Sequence, residues 1–146
     1  MGSNLAEEMM GFSHVRLELA RDHEFPEGSS ERGYEFIAPL GADGRIVERD
    51  WRASRDLCRV RRFWANEPDE IGHLVRKRGG EWAFHYDLHG DPEDDETGYR
   101  FGDHKFLLGE YVSIKEHGGV MRTFQVVAIQ PVSEANTTWS GWRSSA

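Results

Sequence analysis

Residues 81–106 read EWAFHYDLHGDPEDDETGYRFGDHKF, with three histidines set among carboxylates. His85, Asp87 and His89 alternate along the segment, His104 follows it and His73 precedes it. Neutral imidazole and carboxylate are good donors to zinc, iron or manganese. On a strand, alternate side chains emerge on one face roughly 6.5 Å apart, so His85 and Asp87 can lean toward one ion. His85 and His89 stand roughly 13 Å apart, too far to share it. A third ligand from His104 or His73 would complete a centre able to polarise a carbonyl or activate water, giving a small metal-dependent enzyme. The competing reading makes His85, Asp87 and His89 the wet face of a strand whose other face buries Trp82, Phe84, Tyr86 and Leu88. No complete three-ligand spacing is visible, so the wet face is preferred and no cofactor is expected. DPEDDE (91–96) lacks the glycine and the ligand register of an EF-hand loop and reads as a solvated loop tip.

A second constellation is basic. Arg52, Arg55, Arg59, Arg61 and Arg62 sit beside Trp51, Phe63 and Trp64, and Arg76, Lys77 and Arg78 follow. Guanidinium groups pair bidentately with carboxylate or phosphate, and aromatic rings stack on exposed bases. Arg59, Arg61, Arg62 and Trp64 are therefore candidate binding residues for an acidic protein or a single-stranded nucleic acid. On a strand, Arg59 and Arg61 face one way and Arg62 the other, so they do not make one continuous patch. Alternatively these arginines pair with the chain's own carboxylates. Cys58, next to Arg59, is read as a small buried apolar residue rather than an activated thiolate. Trp139 and Trp142, in WSGW, either dock into a partner's groove or a neighbouring subunit or belong to a tail that does not pack. No Gly-x-Ser-x-Gly, P-loop, dinucleotide glycine pattern or His-Glu-x-x-His occurs.

The whole chain bounds these options. Its 146 residues suit one domain with a core of its own, and eight Phe, five Trp and four Tyr supply the bulk. The formal net charge of −8 opposes general adhesion to DNA or anionic lipid. The charge is distributed in blocks: residues 45–78 carry ten basic against six acidic side chains, between acidic flanks. A single cysteine, no basic segment leading into an apolar leader, and no apolar run near the roughly 20 residues of a membrane helix point to a cytoplasmic protein.

Strand patterns dominate the elements that must position these residues. HVRLELA alternates Val15, Leu17 and Leu19 against His14, Arg16 and Glu18, and GYEFIAPL follows, ended by Pro39. GADG (41–44) reads as a turn, and Asp50 as the cap of a short helix over 50–57. CRVRRFW is a strand followed by the acidic, Pro-containing loop ANEPDE. IGHLVRK, RGG and EWAFHYDL read as a hairpin, as do GEYVSIKE, HGG and VMRTFQVVAIQP. In the last arm Phe124, Val126 and Ala128 fall on one face and Val127 and Ile129 on the other, an end expected to be covered on both sides.

Seven or eight short strands and one helix predict a mainly β fold. Its form is a small antiparallel barrel or strongly bent sheet, in the style of SH3-like or OB-like barrels. The expected domain spans 12–132, with 1–11 and 133–146 as flexible or loosely packed termini. Two functions fit: an interaction module using the Arg/aromatic surface, or the metal-dependent enzyme built on His85, Asp87 and His104.

Overall fold

Period-two alternation is what the β1 strand (Phe12–Leu19) obeys: Val15, Leu17 and Leu19 are buried while His14, Arg16 and Glu18 point away. The computed structural model describes residues 11–87, 96–98, 104–116 and 119–132. The further strands are β2 (Ser29–Pro39), β3 (Arg59–Trp64), β4 (Glu67–Arg76), β5 (Trp82–Tyr86), β6 (Glu96–Gly98), β7 (Tyr111–Lys115) and β8 (Met121–Pro131). Each pairs antiparallel with the next, and β8 pairs back onto β1, so the sheet closes into a barrel. The strands lie round the barrel in chain order, an up-and-down path that removes free edges. That order and the strand count differ from the five-stranded Greek-key plan of OB-like barrels.

The barrel is filled by side chains. Tyr34, Phe36, Phe84, Phe106 and Phe124 are fully buried, their ring centroids 5.0–5.6 Å apart in tilted and edge-on contacts. Trp82, Phe84 and Tyr86 are buried on β5, whereas His85 is half-buried and Asp87 exposed, as the alternation requires. Leu88 and His89 lie outside the described residues, as do 1–10, 91–95 and 133–146 with Trp139 and Trp142. Among the described residues no helix is long and apolar enough to cross a membrane.

One end of the barrel is covered by the β2–β3 connection. Helix α1 (Glu48–Ala53) and a 3-10 turn (Arg55–Leu57) lie there. Trp51 packs edge-on against Trp82 at 5.1 Å and donates its indole N–H to the Leu74 carbonyl at 2.9 Å. The helix starts earlier than expected. Val47, in an extended conformation, is the N-cap, its carbonyl accepts from Trp51 N–H at 3.0 Å, and no side chain caps it. Asp50 therefore sits in the first turn, where its charge favours the helix dipole, rather than at the cap.

Two further expectations change. ANEPDE is not a loop: residues 65–66 make the whole turn, with Asn66 at φ 71°, and β4 begins at Glu67. Asn tolerates that left-handed conformation, and Pro68 fits because the β3–β4 ladder shifts register between Arg62 and Trp64. In β8, a register shift opposite Arg16/Leu17 pushes Val127 outward, where it is exposed, and Ile129 packs on the core. The bulge re-phases the alternation, so this end is not covered on both faces.

Close strand crossings demand glycine at two places. A Cβ on Gly72 would lie 2.0 Å from the His85 carbonyl oxygen, and one on Gly33 2.0 Å from that of Leu17. Gly72→Ala should therefore cost about 2–4 kcal/mol by forcing β4 and β5 apart, measured as a lower urea midpoint with unchanged slope. A midpoint equal to that of the unsubstituted protein would show that the ladder yields without strain.

Candidate functional site

At the end opposite α1, inward-facing positions become charged. Arg32 precedes Tyr34 and Phe36 by two and four residues on β2. Arg62 follows Val60 on β3, and Arg122 precedes Phe124 and Val126 on β8. By alternation all three guanidinium groups enter the barrel mouth from the core side. Glu116, just after β7, is buried there and receives two of them, those of Arg62 and Arg122. It accepts hydrogen bonds from the Tyr34 hydroxyl and from Arg62 Nε at 3.2 Å and Nη2 at 3.4 Å. Arg122 Nε lies 3.3 Å from Glu116 Oε1, an ion pair without hydrogen-bond alignment.

Arg122 also reaches outward. It donates to Asp22 Oδ2 at 2.6 Å and to Glu24, and Asp22 Oδ1 accepts from the backbone N–H of Glu24 and Phe25 at 2.9 and 2.8 Å. Burial by itself would raise the Asp22 carboxyl pKa, but the Phe25 N–H and Arg122 more than offset it and hold it below the usual range. These bonds fix the connection 20–28 so that Phe25 meets Trp64 edge-on at 6.2 Å. Arg32 lies 4.2 Å over the Phe25 ring and 5.8 Å from that of Trp64, and Arg62 lies 4.3 Å over Trp64.

The structure divides the four sequence candidates. Arg62 and Trp64 belong to this rim, whereas Arg59 and Arg61 lie on the outer wall. There Glu35 accepts from Arg61 Nε at 3.0 Å and Arg16 Nη1 at 3.1 Å, and Arg61 Nη1 donates to Asp69 at 2.8 Å. Arg16 and Arg61 cover the Phe63 ring at 4.3 and 5.1 Å. Arg59 reaches Asp87 Oδ2 at 3.5 Å. The rim members that sequence reading missed are Phe25, Arg32, Glu116 and Arg122. The signal for Arg32 and Arg122 was an Arg two residues before an inward aromatic at a strand end. Nothing local marks Glu116.

The alternative metal set offered by the sequence is His85, Asp87 and His104. His73 and His85 are direct cross-strand partners, and His73 Nδ1 lies 3.1 Å from Asp87 Oδ1. Asp87 is thus bracketed by His73 and Arg59. His104 stands on the segment leading to Phe106, half-buried. Among the described residues no group of three or more His, Cys, Asp or Glu is placed to hold a metal ion. Cys58 is fully buried, and burial pushes its thiol pKa up to about 12, so it stays protonated and poorly nucleophilic.

No family model, curated protein or solved structure matches the chain.

The outer wall generates two expectations. Arg61→Ala leaves the largely buried Glu35 with Arg16 alone and Asp69 without its arginine, so it should lose about 2 kcal/mol, against less than about 1 for the more exposed Arg59→Ala. Equal losses in urea unfolding would contradict this assignment. Glu35 also carries a pH signature. Burial by itself would raise its pKa, yet the nearby His14 imidazole, 3.6 Å away, and the Arg61 hydrogen bonds and charge bring it from 4.5 to about 2. Its stabilisation is complete above the unfolded value and is lost as pH falls through the folded one. Melting temperature should therefore decline between pH 4.5 and about 2. Glu35→Gln should flatten that decline, and an unchanged profile would remove Glu35 as its source.

Proposed function

We propose that this barrel is a non-catalytic binding module that captures a carboxylate-bearing segment of an acidic protein on the rim formed by Phe25, Arg32 and Trp64. One observation carries the reading. Arg62 and Arg122 are each within ion-pair distance of carboxylates, whereas Arg32, among the described residues, is paired with none. Its guanidinium is held by two rings and by a hydrogen bond from Nη1 to Ser29 Oγ at 3.1 Å. A guanidinium fixed in this way loses little freedom when a planar carboxylate pairs with it. Trp64 offers ring surface beside that pair, and Arg62 supports Trp64 from beneath.

An acidic protein is favoured over single-stranded nucleic acid by charge. A net −8 and arginines largely neutralised by neighbouring carboxylates leave a weak field for a polyanion, while one fixed cation beside an aromatic suffices for one carboxylate. The same reading sets the module in the cytoplasm, where a lone buried thiol stays reduced.

Binding of an acidic peptide rich in Asp and Glu, followed by fluorescence anisotropy at low and physiological salt, tests the proposal. Arg32→Met should weaken capture about tenfold and leave the melting temperature nearly unchanged. Single-stranded RNA should bind more weakly and with steeper salt dependence. If Arg32→Met binds the peptide as tightly as the unsubstituted protein, the rim is not the site. If RNA binds more tightly than the peptide, the partner class is wrong.

A further inference from the structure

A second surface shares the 20–28 connection with the rim but carries its own chemistry. An open groove of about 910 Å³ runs along the outside of the barrel between the β1–β2 connection and the β7–β8 hairpin. Its volume lies within the range of small-ligand sites. One wall is apolar: Tyr111 is 59% exposed and Val127, the residue displaced by the β8 bulge, is 38% exposed. The other wall carries Arg21, Glu27 and Ser30. Gly28 also lines the groove; it holds φ +73°, and an added Cβ would lie 2.7 Å from the Leu19 carbonyl oxygen.

The two charges of the polar wall are opposite and uncommitted. Among the described residues neither Arg21 nor Glu27 has an ion-pair partner, and the Tyr111 hydroxyl makes no hydrogen bond. A polyanion in this groove would meet Glu27, and a hydrocarbon would leave both charges without a partner while desolvating them. A ligand with one carboxylate, one ammonium and an apolar body satisfies all three elements. We propose that this groove binds a small zwitterion with an apolar side chain, a free amino acid or a short peptide. Arg21 takes the carboxylate, Glu27 takes the ammonium, and Tyr111 with Val127 receives the side chain.

The test is amide chemical-shift mapping on the ¹⁵N-labelled full chain, titrated with free leucine, with trileucine, and with trileucine acetylated at one end and amidated at the other. Saturable shifts around Arg21, Glu27, Tyr111 and Val127 are expected with at least one of the unblocked ligands. Tighter binding of trileucine would identify a peptide, and tighter binding of leucine a free amino acid. The doubly blocked peptide should bind about tenfold more weakly than trileucine, or not at all. Arg21→Met should weaken trileucine binding while leaving a C-amidated tripeptide unaffected, and Glu27→Gln should do the same for an N-acetylated one. Equal affinity for blocked and unblocked ligands, shifts outside the groove, or no shift at millimolar ligand would each overturn the proposal.

Discussion

One buried carboxylate, Glu116, holds the open end of this barrel together. From just beyond β7 it accepts from Tyr34 on β2 and Arg62 on β3 and pairs with Arg122 on β8, joining strands far apart in sequence through the interior. A charge so placed is tolerable only because several donors surround it; with Glu116 neutralised, Arg62 and Arg122 would keep only carboxylates nearer the surface. The rim depends on this group in sequence. Glu116 orients Arg122, Arg122 grips Asp22 and Glu24, the connection they anchor carries Phe25, and Phe25 with Trp64 supports Arg32.

The same accounting explains how a chain with ten basic residues in its middle presents so little free positive charge. Glu35 and Asp69 take Arg61, Asp87 takes Arg59, Glu116 and Glu67 take Arg62, and Glu48 takes Arg52 and Arg76. Acidic flanks fold over the basic strands, and most of that charge is spent internally. The exposed pairs contribute little to stability, whereas the half-buried and buried ones are costly to break. What remains for a partner is set by the few groups that the fold leaves uncommitted, and Arg32 at the rim is one of them.

Most of the barrel was legible because strand alternation is local. Val15–Leu17–Leu19 and Trp82–Phe84–Tyr86 declare their faces within a few residues, and GADG and RGG declare their turns. The departures have local causes whose outcome depends on neighbours. Asn66 alone was enough to turn the chain, so ANEPDE shortened to two turn residues, and an extra residue at Val127 shifted the phase of β8. The site was less legible. Arg61 and Arg62 are adjacent and chemically identical, yet one lies on the outer wall and the other inside the mouth. Glu116 reads as an ordinary polar residue beside a hairpin bend, because its burial comes from β2, β3 and β8 rather than from its own neighbours. Phe25 lies in a connection without periodicity, and only its long-range contacts assign it a role.

Equilibrium urea unfolding of Glu116→Gln tests the central claim most directly, because Gln preserves the shape of the side chain while removing the charge that Arg62 and Arg122 surround. The account predicts a loss of about 2–3 kcal/mol, the cost of taking from Arg62 and Arg122 the one buried carboxylate between them while Asp22, Glu24, Glu67 and Glu70 compensate only from more exposed positions. A change within about 0.5 kcal/mol would contradict it, showing that the end of the barrel is held by apolar packing alone and that Glu116 organises nothing.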